Sequence, residues 1–341
     1  MHFQKCGLVL TTPVGYTQHF RDPKVVPGQN EGYWMVLGAQ QESGYGALLL
    51  YSSADGCQWT SAGVIGTSQE YQMIECPDLF MLNDKTVLLY CPQHRDNVVD
   101  DCIDSFSVYR VLQNVSENME HINLDAEWTR LDEGFDFYAP QTFLTPDGRR
   151  ILPAWMSRIE GEEESSFAAH EPRIHCLTMP RELFLSGSRL CQRPVRELRN
   201  LPGISVLPQR SENGQCYCPK TRAFRLTLES KGLCNEVRVV LHEGEWSFHY
   251  DACTNRAQVC RRRRTDAGQD VRSISLLELK TLELWCDQSS AELFLNNGAY
   301  VFSARISPDA QRPSVVLSGV SADAVHVTQL PENLYQLFPD E

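Results

Sequence analysis

Three short segments of this 341-residue chain repeat one local pattern: Arg21-Asp22-Pro23, Glu75-Cys76-Pro77 and Tyr138-Ala139-Pro140. Each places a chemically capable residue two positions before a proline, a polar residue just after it, and apolar residues beyond. Successive prolines are 54 (77 − 23) and 63 (140 − 77) residues apart. Glycosidic hydrolysis asks for a carboxylic acid to protonate the leaving oxygen and a carboxylate to carry charge on the other side of the sugar. Asp22 and Glu75 are the candidates. Glu75 stands between Ile74 and Cys76-Pro77, an apolar setting that suits the proton-donating member. Asp22 follows Arg21, and if the two also meet in space Asp22 should stay ionised, which suits the charge-bearing member. Tyr138 and Trp155 add aromatic surface of the kind that packs on the C–H face of a sugar. An isolated Asp or Glu is more often a surface residue, a tryptophan is as often core, and shared prolines also mark equivalent turns. The recurrence of capable residues at one offset is what raises Glu75 above that background.

The elements that must hold them are strands. Each motif is followed by an apolar β-rich run: Tyr33-Trp34-Met35-Val36-Leu37, Thr86-Val87-Leu88-Leu89-Tyr90, and Arg150 to Trp155. A second echo matches Phe3 to Val9 with Trp59 to Ile65. A repeat of roughly fifty to sixty residues with about four strands per unit is the signature of propeller blades, whose innermost strands bring equivalent positions to one central pocket. Beyond Arg193-Pro194-Val195 the texture changes. Leu201-Pro202-Gly203 to Leu207-Pro208 reads as an extended linker, followed by clean alternation in Leu282-Glu283-Leu284-Trp285 and a hairpin signal at Asn297-Gly298. The expected division is a propeller-type catalytic domain over 1–200 and an antiparallel β-sandwich over 201–341.

A net charge of −13 argues against a nucleic-acid or anionic-membrane partner. The one basic run, Arg261 to Arg264, reads as a solvated loop or strand edge. Thirteen cysteines at irregular spacing, without a Cys-x-x-Cys pair, indicate free thiols in a reducing cytoplasm. The N-terminus lacks the apolar core of a signal peptide, so the Asn114-Val115-Ser116 sequon is incidental. No ligand-spaced His or Cys set and no Gly-rich phosphate loop is found; neither a metal nor a cofactor is expected.

At these motifs the chain resembles glycoside hydrolase family 32. Phe20 to Val25 is similar to its Arg-Asp-Pro box, Met73 to Phe80 to its Glu-Cys-Pro-Asp box, and Asp136 to Phe143 to its Phe-Tyr-Ala-Pro-Gln box. Pro180-Arg181-Glu182-Leu183 and Gln192-Arg193-Pro194 resemble the close of its propeller, and Ser289 to Phe294 with Asn297-Gly298 a stretch of its sandwich. The resemblance implies an all-β protein with a five-bladed propeller followed by a β-sandwich, acting on sucrose, sucrose 6-phosphate or a related fructoside with retention. It also implies roles: Glu75 as acid/base, Asp22 as stabiliser binding fructosyl hydroxyls, and Arg21, Cys76, Tyr138 and Trp155 lining the sugar site. One departure is large. The family's nucleophile is the Asp of an Asn-Asp-Pro-Asn-Gly box upstream of Arg-Asp-Pro; here 21 residues precede Asp22 and the box does not occur. The expectation is therefore a propeller without its first blade and part of its second, whose open strand edges invite self-association or a partner fragment. The alternative expectation is a non-catalytic, carbohydrate-binding remnant of such an enzyme.

Overall fold

The computed structural model describes residues 2, 4–5, 7–28, 32–94, 106–112, 121–156, 175–211, 214–229, 233–263, 266, 268–306 and 313–331. The sequon at Asn114 and the last arginine of the basic run, Arg264, lie outside the described residues. The chain forms two compact units: Met1–Leu131 with Tyr138–Phe143 and Gly187–Arg189, and Asp132–Phe137 with Leu144–Ser186 and Leu190–Glu341. The architecture is all-β, of the propeller-plus-sandwich class.

In the first unit, β1 (Tyr16–Pro27), β2 (Tyr33–Gln41), β3 (Gly46–Ser53) and β4 (Thr60–Thr67) form an antiparallel meander, the four-strand unit that the repeat predicts. β5 (Met73–Leu82), β6 (Lys85–Gln93) and β7 (Val108–Leu112) begin a second sheet. Short β8 (Ile122–Asn123) joins β4 in parallel, and β9 (Thr129–Arg130) joins β7. Val36, Leu48, Leu50 and Ile65 of the first sheet pack with Ile74, Leu79, Leu88 and Tyr90 of the second. Two glycines let the sheets meet: a Cβ on Gly38 would lie 2.0 Å from the Ile74 carbonyl oxygen, and one on Gly46 would lie 2.9 Å from its nitrogen. That approach brings β5, with Glu75, onto β1 and β2.

Further along come β10 (Phe143–Leu144), β11 (Arg150–Leu152), β12 (Trp155–Met156), β13 (Cys176–Leu177), β14 (Arg181–Ser186) and β15 (Arg189–Pro194), with α1 (Arg196–Arg199) after them. β10, β11, β14 and β15 make a third four-stranded sheet, and β12 pairs with β13.

The rest of the second unit is two antiparallel sheets. Its strands are β16 (Ile204–Ser205), β17 (Gln209–Ser211), β18 (Gly214–Tyr217), β19 (Phe224–Glu229), β20 (Leu233–Leu241), β21 (Trp246–Asp251) and β22 (Arg256–Arg262). They continue as β23 (Gln269–Ser275), β24 (Thr281–Asp287), β25 (Ser290–Leu295), β26 (Tyr300–Arg305), β27 (Val315–Val320) and β28 (Val325–Gln329). One sheet has the order β16-β28-β19-β24-β25-β26 and the other β17-β18-β27-β20-β21-β22-β23. Strict alternation decides their faces. Phe224, Leu226 and Leu228 of β19 share one core with Trp246, Phe248 and Tyr250 of β21 and with Ala257 and Val259 of β22. The Asn297-Gly298 signal is realised as the β25–β26 hairpin, with Leu295 opposite Tyr300 and left-handed φ at Asn296, Asn297 and Gly298.

Only part of the basic run is the solvated stretch that its sequence suggests: the Arg262 and Arg263 side chains are 51% and 42% exposed, and Arg261 is not. Arg261 is buried and paired with Asp136 at 2.6 Å and Asp270 at 2.9 Å, Arg262 holds Glu245 at 2.5 Å, and Arg263 holds Asp266 at 2.9 Å and Asp270 at 3.1 Å. Eleven cysteines among the described residues are free thiols. Among the described residues no helix is long and apolar enough to cross a membrane.

One buried base gives this unit an acid sensitivity. His242, just after β20, accepts from the Ser314 N–H at 3.2 Å through Nδ1, while its buried Nε2 has no partner among the described residues. Burial, with Arg222 adding to it, pushes the imidazole down to about 4. The unfolded chain protonates this group near its ordinary value of about 6.5, so between about 6.5 and about 4 the unfolded state binds the extra proton. Stability therefore falls as pH drops through that window, by about 3 kcal/mol at about 1.4 kcal/mol per unit. Melting temperatures of wild type and His242→Gln should diverge as pH falls from 6.5 to 4, with wild type losing more; parallel curves would contradict this.

Candidate active site

The three repeated motifs share a backbone irregularity that the sequence does not announce. The residue just before each proline sits in the left-handed region: Asp22 at φ 60, Cys76 at φ 48 and Ala139 at φ 50. None is glycine, and the residue before a proline ordinarily prefers an extended conformation, so each position carries strain. In the first two copies the ladder slips at this point, between Arg21 and Lys24 on β1 and between Glu75 and Asp78 on β5. These are β-bulges, and the proline, which has no N–H to give the ladder, falls within each. A bulge re-aims the side chains beside it.

The re-aimed side chains meet. Arg21 donates to Glu75 Oε1 from its NH2 group at 2.7 Å and from Nε at 3.2 Å. The Tyr138 hydroxyl donates to Glu75 Oε2. The residues two before the proline in all three copies thus form one string, Arg21–Glu75–Tyr138. The positions just before the proline also engage each other. Asp22 Oδ2 accepts from the Cys76 backbone N–H at 3.0 Å and lies 3.7 Å from its thiol. Asp22 Oδ1 has no partner among the described residues. Glu75 is 15% exposed, enough to be reached, and Asp22 is half-buried.

Behind this layer lies a second, which the sequence marks only as a polar residue after each proline. Lys24 Nζ pairs with Asp78 at 3.1 Å and donates to Gln141 Oε1 at 3.2 Å and to the Thr142 carbonyl at 2.6 Å. Asp78, shut from solvent, also accepts from the Thr142 N–H at 2.6 Å. Lys24, Asp78 and Gln141 occupy one offset in the three copies, so the same repeat that places the front layer also ties its backing together. Lys24→Met removes the cation paired with a buried carboxylate and is expected to cost about 3 kcal/mol, read as a lower urea midpoint. A midpoint unchanged from wild type would contradict the pairing.

Arg21 pairs with Glu75, so the condition set on its meeting with Asp22 is not what the structure uses. One feature differs from the sequence expectation. Glu75 is held on both oxygens by polar partners rather than standing in an apolar slot. The surrounding groups are tuned to stay neutral. Burial, reinforced by the neighbouring Cys91 and the Glu75 carboxylate, pushes the Tyr138 phenol well above its usual value, so it remains a hydroxyl able to donate or accept. A hydrogen bond with Cys91 and burial push the Cys76 thiol up likewise, which removes it as a thiolate nucleophile. Trp155 belongs to the other compact unit, where it stands on β12 with its ring edge-on to His175 at 5.3 Å. Among the described residues no group of three or more His, Cys, Asp or Glu could hold a metal ion.

A string of carboxylate, guanidinium and phenol, with a second carboxylate beside it and no thiolate, is equipped to move a proton and to offset positive charge on a small polar ligand. Comparison with known proteins identifies the family. Residues 1–194 match the model of the glycosyl hydrolases family 32 N-terminal domain, and residues 198–330 match that of the family 32 C-terminal domain. The chain is 35% identical over 350 residues to a sucrose-6-phosphate hydrolase of Bacillus subtilis, covering 96% of this chain and 70% of that protein. A solved structure of a variant of a Bombyx mori GH32 beta-fructofuranosidase in complex with sucrose superposes with a TM-score of 0.78 at 27% identity, covering 96% of this chain and 69% of that one. The sucrose-6-phosphate hydrolase of Lactobacillus gasseri, at 20% identity and a TM-score of 0.79 over 97% of this chain and 70% of its own, shares the fold.

Proposed function

The chain belongs to glycosyl hydrolase family 32, and on that premise we propose that Asp22 and Glu75 form the fructoside-binding and proton-donating part of a β-fructofuranosidase site for sucrose or sucrose 6-phosphate. The observation that carries this is the Arg21–Glu75–Tyr138 string with Asp22 held beside it by Cys76. Glu75 protonates the glycosidic oxygen as the bond to the fructosyl carbon breaks. For the carboxyl to carry that proton, one of the hydrogen bonds donated to it must yield. Tyr138 can do so by turning its hydroxyl from donor to acceptor, whereas Arg21 has only donors. Asp22 accepts fructosyl hydroxyls through Oδ1 and offsets the positive charge that develops on the ring. Arg21 and Tyr138 are positioning residues, and Cys76 orients Asp22. The reading also assigns 1–200 to a propeller-type catalytic domain and 201–341 to the sandwich, in support of which the two family matches meet between residues 194 and 198.

A retaining mechanism needs, in addition, a carboxylate that attacks the fructosyl carbon. The third carboxylate of the cluster, Asp78, is fully buried against Lys24 and is not placed to attack. This favours a second reading alongside the first: the chain by itself binds fructosides and turns them over slowly, behaving as a carbohydrate-binding protein until an attacking carboxylate is supplied. Release of glucose from sucrose, or of glucose 6-phosphate from sucrose 6-phosphate, by the purified chain tests both. Low release that falls further in Glu75→Gln is expected. Rapid release that survives Glu75→Gln would overturn the assignment of the acid, and rapid release lost in that variant would overturn the second reading.

A further inference from the structure

The first unit has an open pocket of about 420 Å³ at the other end of its first sheet, lined by Tyr33, Trp34, Ser52, Asp55, Gln58 and Thr60 among others. It is separate from the site above. Along β2, Gly38 pairs with Arg21 and Tyr33 with Pro27, so the two places are five residues apart, about 17 Å of strand at about 3.3 Å per residue.

The side chains there are arranged rather than scattered. Tyr33 is 43% exposed, and its ring edge lies 3.6 Å from where a Cβ on Gly56 would stand. Gly56, at φ 75, supplies the left-handed backbone of the turn beside the ring. Asp55 is locked through one oxygen: Oδ1 accepts from the Cys57 and Gln58 N–H groups, each at 2.8 Å, and from the Ser53 hydroxyl at 3.1 Å. Those backbone donors hold its carboxyl below the usual range, so it is charged. Oδ2 has no partner among the described residues and is an oriented, unused acceptor. Ser52 and Thr60 face each other across β3 and β4 and bring two hydroxyls to the same rim, and Gln58 adds an amide.

An aromatic face beside a fixed carboxylate, an amide and two hydroxyls is the chemistry that grips a polyol ring, apolar on its C–H face and hydrogen-bonding on its edge. No Lys or Arg lines this pocket among the described residues, so a phosphorylated sugar gains nothing there. We propose that this pocket is a second, non-catalytic binding site for a neutral saccharide unit, stacked on Tyr33 and hydrogen-bonded by Asp55. The choice of ligand class rests on the fructoside reading of the first site; the existence of the pocket does not.

The indole N–H signal of Trp34, assigned through Trp34→Phe, reports on the pocket in the full chain. Titration with nystose, a neutral tetrasaccharide, is expected to shift that signal saturably in wild type and equally in Asp22→Ala. In Tyr33→Ala and Asp55→Ala the apparent affinity should fall at least tenfold while the other indole signals stay in place, which shows that the fold is intact. No saturable shift in wild type, or one that persists unweakened in both pocket variants, would overturn the proposal. Calorimetric binding of sucrose that is unchanged in Asp22→Ala would instead overturn the reading of the first site and leave the pocket standing.

Discussion

Arg181→Met is expected to destabilise the second unit by about 3–5 kcal/mol, a large part of the 5–15 kcal/mol by which a domain is typically stable. Arg181, at the start of β14, is fully buried. Its guanidinium reaches Asp132 at 3.0 Å, Glu292 at 2.5 Å, Gln192 at 3.0 Å and the Ser303 hydroxyl at 2.6 Å, and it lies over the rings of Phe137 and Phe294. One cation thus serves two buried carboxylates, and methionine of similar volume would leave both without it. Asp132 keeps the Ser303 and Gly134 N–H groups and Glu292 keeps the Met179 N–H, so the loss is bounded rather than total. The sign of the pH dependence follows. Burial already pushes the Glu292 carboxyl up against the pull of Arg181, and without that cation the folded state takes up a proton there above the unfolded value. The penalty in the variant is therefore full near neutral pH and relieved as pH falls. Urea unfolding followed by tryptophan fluorescence reads it; Arg181→Lys, which keeps charge but not the fork, should lie between. A loss below about 1 kcal/mol for Arg181→Met would show that the network is dispensable.

Asp22→Ala is expected to weaken fructoside binding about 10- to 150-fold, the range that corresponds to a hydrogen bond of about 1.5–3 kcal/mol to a charged acceptor. The effect has a geometric origin. The bulge at Pro23 turns Asp22 into the left-handed region, the Cys76 N–H fixes Oδ2, and Oδ1 remains open. The Asp22→Asn substitution keeps the shape and tolerates the backbone conformation, so its milder loss would separate charge from geometry. Calorimetry with sucrose and with fructose measures both variants. Affinity within threefold of wild type in Asp22→Ala would exclude Asp22 from the sugar site.

The residues of the site were legible because a repeat carries its own coordinate system. Arg21, Glu75 and Tyr138 share an offset from proline, and equivalent offsets in successive blades converge. The partner of each was not legible. Arg21 and Asp22 are sequence neighbours on a strand, where side chains alternate faces, so adjacency argues against rather than for their pairing. The left-handed φ of Asp22, Cys76 and Ala139 has no sequence mark either, since no glycine stands there and the following proline signals extended backbone. Lys24, Asp78 and Gln141 lay in plain view at the third shared offset, but nothing in a polar residue after a proline says that it faces inward. In the sandwich the alternation read in Leu282-Glu283-Leu284-Trp285 falls on β24, which buries Leu282 and Leu284 in the core. The basic run misled at Arg261, whose countercharges are Asp270, 9 residues away, and Asp136, 125 residues away in sequence. Local charge density is visible in a sequence, whereas the countercharge brought by folding is not.

Where a fructoside sits on this chain decides whether Asp22 and Glu75 do the work assigned to them. A crystal structure of the chain soaked in sucrose measures this directly. The expected result is a fructosyl ring whose hydroxyls meet Asp22 Oδ1, with the glycosidic oxygen within about 3 Å of the Glu75 carboxyl. Sucrose bound away from Asp22, or with its glycosidic oxygen turned from Glu75, would contradict it.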